Sequence, residues 1–467
     1  MKNKFIYFTA AVVLLITGSC KKFLEVQPED KYLESQVFGN ENAIQQALNG
    51  VYQNLASNAL YGEALTNTDI EVMGQRFNTA SQLSFQDYQT YNYTDVATEF
   101  ERIWTAFYNN ILQANQFVEK IDGAAQKGII SRQHAAELKG EAIGLRAFMH
   151  FDLLRIFGPV MKVAPTGEAI PYYTKADAKG QPILNATQVI DSVLTDLNKA
   201  KTLLSADPVI TEGVDTASHN YYRGNRAQRF NYYAVIALEA RVQLYKGDNG
   251  AAHAAAKEAL TAIDKWFPWM PYTDILNNAN PNRIFSPEVL FGIYNQNMYI
   301  NYQTYFSPTL QNYTVLNALP GRLSAVFENN TNDYRYTTTW VAGGAGPELY
   351  FYKFADLTDQ SKPWRFLQPL IRKSELYYIL AETDPDPDHQ RYYLNTVRNN
   401  RGLTNLVAGA DMPAEIQKAY QKEFWGEGQL FFYYKRKALT TVPSGNSLGT
   451  IAPAYVVPLP VSETSPR

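Results

Sequence analysis

Residues 137–160 read ELKGEAIGLRAFMHFDLLRIFGPV, and this stretch decides the fold. Leu138, Ala142, Leu145, Met149, Leu153 and Ile156 recur at steps of three and four, which predicts a helix with one apolar face. From Phe148 onward the opposite side fills as well, with Phe151, Leu154 and Phe157. A helix apolar on both sides needs neighbours on both sides, so it belongs inside a helical assembly. Gly158-Pro159 stops it, because proline lacks the donor and disfavours helical geometry at the residue before it.

Helical spacing recurs outward from this centre. It predicts helices over 41–56, with Asn40 as N-cap, over 99–120 and over 189–203. A pair follows at 230–245 and 251–263, joined by Lys246-Gly247-Asp248 and packed through alanines. That helix–turn–helix resembles one tetratricopeptide repeat, and helical spacing returns over 370–382 and 389–401. A last helix is expected over 416–436, and Gly402 is placed where a helix end needs positive φ. The expected organisation is a helical scaffold over 41–263, an irregular module over 264–368 and C-terminal scaffold helices over 369–467.

Two stretches break the period. Residues 57–93 are rich in Asn, Thr, Ser, Asp and Gln and read as a long, partly irregular excursion, which in a compact body points to a binding loop. Tyr88, Tyr91 and Tyr93 are its ligand-facing candidates, with local packing as the alternative. Residues 264–368 are dense in aromatics, with turns at Pro320-Gly321 and a loop from Gly343 to Pro347. Short strands are expected at 334–340 and 349–354. Tyr299, Tyr305 and Trp340 complete the candidate list, because they lie away from the scaffold periodicity. The chain's 33 Tyr, 24 Phe and 6 Trp suit core edges and sugar-stacking surfaces alike.

The N-terminus carries Lys2 and Lys4, a twelve-residue apolar run from Phe5 to Ile16, then Thr17-Gly18-Ser19-Cys20. This is a signal-peptide layout over 1–19, too short for a permanent span. Cys20 is the only cysteine, so it cannot form an intrachain disulfide. It reads best as the lipidated first residue of a bacterial lipoprotein, with 20–40 as tether and several acyl chains holding it on a membrane. The net charge is −3, and loss of Lys2 and Lys4 leaves about −5. That is too mild to argue for any partner, and no basic run argues for nucleic acid.

Arg146-Ala147-Phe148 followed by Leu153 to Val160 resembles a signature of the SusD/RagB family of surface lipoproteins. FLEVQP at 23–28, the run Trp104 to Asn115, IRKSELYYILAE at 371–382, Leu394 to Leu403 and the tail at 455–460 resemble other family segments. Glu423, Glu427-Gly428 and Arg436 match its closing helix, whereas Gln421-Lys422 and Gln429 depart from it and predict a weaker local ion-pair network. The resemblance implies a mostly α, tetratricopeptide-like scaffold bearing an irregular, partly β, aromatic-rich binding layer. It implies a lipid-anchored, outward-facing outer-membrane protein that binds a glycan, or in some relatives a peptide. The partner it implies is a SusC-like TonB-dependent transporter, over which the protein closes as a lid.

No catalytic constellation is visible. The five histidines, His134, His150, His219, His253 and His389, form no HExxH or metal-ligand spacing, and no phosphate-cradling or dinucleotide fingerprint follows a strand. Asp384, Asp386 and Asp388 alternate like a calcium loop, but prolines stiffen the turn and its glycine and distal glutamate are missing. No cofactor, metal or catalytic residue is expected. Two rivals stay open: a surface glycoside hydrolase, which needs two facing carboxylates, and a pure protein-interaction scaffold, which needs no ligand pocket.

Overall fold

Several of the long helices start where a side chain takes up a free N–H group. Asn40 accepts from the Ala43 amide to open α1 (Glu41–Leu55). The structure, a computed structural model, describes residues 36–177, 179–214, 224–343 and 348–465. The signal peptide, Cys20, the tether up to residue 35, His219 and residues 344–347 fall outside these.

The excursion after α1 is more ordered than expected, holding the short helices α2 (Asp69–Met73) and α3 (Leu83–Gln89). Then come the two longest helices, α4 (Ala97–Gln126) and α5 (Arg132–Phe157), the second capped by Ser131. The hairpin β1 (Glu168–Pro171) and β2 (Ile183–Asn185) leads into α6 (Ala186–Leu203), which Asn185 and Gln188 open with a capping box. After α7 (Pro208–Thr211), the pair α8 (Tyr232–Lys246) and α9 (Asn249–Trp266) turns at Gly247, whose φ is 91°. α5 is buried along almost its whole length and packs between α4 and α6, the position its two apolar sides require. It also carries buried ions, each paired: Arg146 grips Asp196 at 2.6 and 2.8 Å, and Arg155 bonds Asp152 at 2.9 Å.

The irregular module contains α10 (Tyr272–Ile275), β3 (Val289–Tyr294), α11 (Met298–Tyr305), α12 (Pro320–Phe327) and α13 (Tyr334–Thr339). The strands β4 (Trp340–Ala342), β5 (Leu349–Phe351) and β6 (Leu367–Arg372) complete it. The described strands form two-stranded antiparallel pairs, β3 with β6 and β4 with β5 among them. The C-terminal part holds α14 (Lys373–Thr383), α15 (Pro387–Asn399), α16 (Met412–Glu423) and α17 (Leu430–Lys437). Buried apolar residues from Ile44 to Val457 form one contiguous cluster, so the three blocks pack on a common core.

Three expectations are corrected. Residues 334–339 are helical, because the Asp333 carboxylate caps the Arg335 amide and clasps its guanidinium; the strand starts only at Trp340. The helix expected from residue 370 starts only at Lys373, since pairing with β3 makes 367–372 a strand and overrides the helical spacing of 370–372. The helix expected over 416–436 breaks in two, because Gly426 and Gly428 adopt φ of 71° and 67°. A Cβ at Gly428 would run into the Leu65 carbonyl oxygen. Gly428→Ala is therefore expected to cost more than 1 kcal/mol, roughly the strain of αL geometry plus the clash. A urea midpoint equal to wild type would contradict this.

The turn at 384–388 is a helix start: Asp386 accepts from the Asp388 amide and caps α15. The tail docks back as expected, with Val457 N–H on the Ile156 carbonyl at 3.3 Å. Among the described residues no helix is long and apolar enough to cross a membrane.

Candidate functional site

Four of the six sequence candidates are core residues. The Tyr91 ring stacks on Phe431, its hydroxyl donating to the Met73 carbonyl at 2.9 Å and accepting from the Gln75 amide at 3.1 Å. Tyr88 and Tyr93 both pack on Phe100, and the Tyr93 hydroxyl bonds the Ala454 carbonyl. Trp340 is 3% exposed between Phe351 and Trp425. A tyrosine whose hydroxyl finds a backbone acceptor can be buried at little cost, which is how the 57–93 excursion plugs into the body. Tyr299 and Tyr305, at the two ends of α11, keep accessible surface.

Beside Tyr299 lies an open cleft of about 560 Å³ that sequence reasoning did not find. One wall is the C-terminal half of α1 with Asn49, Gln53 and Ser57; another is the turn bearing Gln228 and Arg229; the third is the exit of β3, with Tyr294, Gln296 and Asn297. Anchoring is rigid. Asn295 and Asn301 both donate to the Gly62 carbonyl, at 2.8 and 2.7 Å, and the Asn297 amide meets Asn58 at 3.0 Å. Arg229 lies over the Tyr52 ring, 4.6 Å from its centroid, and reaches Asn49 at 3.2 Å. The Tyr52 hydroxyl in turn donates to Glu141 at 2.7 Å, and burial first, then that carboxylate, pushes its pKa far up.

An aromatic flank borders the cleft. Tyr294, 42% exposed, meets Phe366 at 5.2 Å, and the Arg365 guanidinium covers Phe366 at 4.6 Å while Asp356 holds it bidentately. The lining thus offers amide donors and acceptors, one guanidinium and a solvent-facing ring, with no carboxylate among the described lining residues. Such a surface suits an uncharged ligand that alternates apolar faces with hydroxyl or amide groups.

At the far end of α11 the Tyr305 hydroxyl donates to Glu63 at 2.8 Å. Deeper in, Asp69 is 5% exposed, and burial pushes its carboxyl up to about 7 against the pull of the Thr68 hydroxyl and Arg102. A raised acid means the folded state binds more protons than the unfolded chain between about pH 4 and 7. Stability then falls as pH rises through that window. Asp69→Asn is expected to remove this contribution, so the variant's advantage should grow by up to ~4 kcal/mol between pH 4 and 8. Urea midpoints across that range measure it, and parallel curves would contradict it.

Other ionisable residues are structural. His150 is fully buried; burial pushes its pKa down to about 3, its Nδ1 meets the Arg146 carbonyl and its Nε2 accepts the Tyr173 amide. Around Glu423 the ion-pair network is dense where the departures at Gln421, Lys422 and Gln429 predicted weakness. Arg335, Arg372 and Arg401 converge on its carboxylate, and Lys422 pairs with Glu328 instead. Among the described residues no group of three or more His, Cys, Asp or Glu could hold a metal ion.

Fold and site together define a helical scaffold protein with an open cleft on its surface. A SusD-like family model, described as starch-binding and associating with the outer membrane, matches residues 22–244. A SusD-like protein of Formosa agariphila is 26% identical over 273 residues, 56% of this chain and 45% of that protein. One of Bacteroides ovatus is 23% identical over 206 residues, 44% of this chain and 35% of the relative. The matches thus span less than half the length of these curated relatives.

Among solved structures, a SusD superfamily protein from Bacteroides thetaiotaomicron superposes with a TM-score of 0.70 at 19% identity, over 91% of this chain and 97% of that one. A laminarin-binding SusD-like protein gives 0.60 at 17% identity, over 85% and 92%. The chain has the fold of the SusD superfamily structures, and over residues 22–244 it matches the SusD-like family.

Proposed function

We propose that this protein is an outer-membrane lipoprotein, anchored through Cys20 and facing outward, that captures an oligosaccharide and passes it to a SusC-like TonB-dependent transporter as its lid. The cleft walled by Asn49, Gln53, Gln296, Asn297 and Tyr294 is the capture site, with Tyr299 two residues beyond Asn297 and Tyr305 away from the lining, at the other end of α11. The observation that carries this reading is the composition of that cleft: fixed amides around an exposed ring, without an ionised acid. Ring faces take the apolar side of a pyranose, and amides satisfy its hydroxyls in both directions. The protein acts as a binder without catalysis; a glycosidase needs two carboxylates flanking the bond it breaks, and among the described residues no carboxylate lines this cleft.

The test is purification of the lipidated protein from solubilised outer membranes, identifying co-purifying protein and bound ligand together. A TonB-dependent channel with a glycan supports the proposal. The same channel with a peptide moves the ligand class, and a lone protein that cleaves polysaccharide overturns it.

A further inference from the structure

A second concave site opens on α4, apart from the cleft on α1. It encloses about 310 Å³, within the range of small-molecule pockets. Its floor is aromatic: Tyr108 lies 4.8 Å from the Trp104 ring and 5.4 Å, edge to face, from Tyr173, and the latter two tyrosines are only half-buried. Leu112, 38% exposed, extends this apolar surface by one turn.

The walls are held from behind by buried polar groups. Asn115, fully buried, donates to the carbonyls of Tyr173 at 3.1 Å and Lys175 at 3.2 Å, while Arg146 donates to the Asn115 side-chain Oδ1 at 2.8 Å. Glu119 accepts the Ala176 amide at 3.0 Å, and the Tyr108 hydroxyl fixes the Pro171 carbonyl at 2.9 Å. The pocket is thereby set before anything enters it.

The rim differs from the walls. The Thr105 hydroxyl, the Asn109 amide and the Lys175 amine border the opening, and no side-chain bond ties them to other described residues. With the Asp177 carboxylate they supply donors and acceptors around an aromatic floor. That pattern fits a ring with one apolar face and a belt of hydroxyls.

We propose that this pocket is a second saccharide-binding site, taking a sugar ring of the same glycan or of another chain. The inference rests on the saccharide reading of the protein given above. The Asn54–Gln113 hydrogen bond, 2.9 Å, joins α1 to α4 between the two sites, so a long glycan engaging both would gain avidity without any new contact.

The test is hydrogen–deuterium exchange of the full chain with a panel of α- and β-glucan, mannan, galactan and xylan oligosaccharides. The expected result is protection of 104–115 and 172–177 as well as of the cleft segments 49–57 and 294–297. In Leu112→Arg, a surface change that fills the pocket mouth, the first pair should lose protection and the cleft should keep it. Protection confined to the cleft overturns the second site alone. Protection at neither place with any member overturns the saccharide reading together with it. Protection of 104–115 only on adding a partner protein makes the pocket a protein contact and likewise overturns the proposal.

Discussion

Glu423→Gln is expected to destabilise the protein by about 3–5 kcal/mol, the usual cost of breaking a buried ion pair from one side. Its carboxylate is buried, and it takes Arg372 Nη1 at 2.6 Å, Arg401 Nη2 at 2.7 Å and Arg335 Nη1 at 2.7 Å. These arginines come from β6, from the turn after α15 and from α13, so one carboxylate ties the irregular module to the C-terminal helices. Burial alone would raise the Glu423 pKa, but Arg401, Arg372 and Arg335 together hold it well below the ordinary carboxylate range. A depressed acid contributes stability that is present above its unfolded pKa and lost as pH falls through the folded one. Wild type should therefore keep this contribution at mildly acidic pH. Gln offers a single oxygen acceptor and no charge, and leaves three guanidiniums facing each other. A melting temperature within about 2 °C of wild type would contradict the account.

The second large effect concerns binding. Tyr294→Ala combined with Asn297→Ala removes the exposed ring and the fixed amide at the mouth of the cleft. Loss of a central aromatic anchor typically costs 2 kcal/mol or more, so affinity for the glycan that co-purifies should fall at least roughly thirtyfold. Both side chains are at the surface or half-buried, so thermal stability should stay close to wild type. Calorimetric titration measures the change. Unchanged affinity in the folded double variant would remove the cleft from the function.

The helical body was legible because its signals are local. Asn40, Gly247 and Gly402 act where the sequence placed them, and the apolar steps from Leu138 to Ile156 do predict a central helix. Tertiary contacts decided the rest. The spacing from residue 370 reads as helix, yet pairing with β3 keeps 370–372 in a strand, and Gly426-Glu427-Gly428 divides what periodicity joined. Tyr88, Tyr91, Tyr93 and Trp340 stand outside the scaffold period, which points to a ligand-facing role. That criterion cannot tell a ligand-facing ring from one plugged into the core by its hydroxyl or by aromatic neighbours. A better signal stood in Tyr294-Asn295-Gln296-Asn297, three amides directly after the buried run Val289–Ile293, where a strand leaves the core and its side chains reach solvent. Asn49 and Gln53, two among several polar positions on the amphipathic α1, show only in three dimensions that they face that run.

The central claim is that sugar is held in the cleft between α1 and the exit of β3. A crystal structure of the protein with its co-purified oligosaccharide tests it most directly. The account predicts a sugar ring against Tyr294, with its hydroxyls bonded to Gln296, Asn297 and the amides of α1. An oligosaccharide bound only elsewhere on the surface, with this cleft empty, would contradict it.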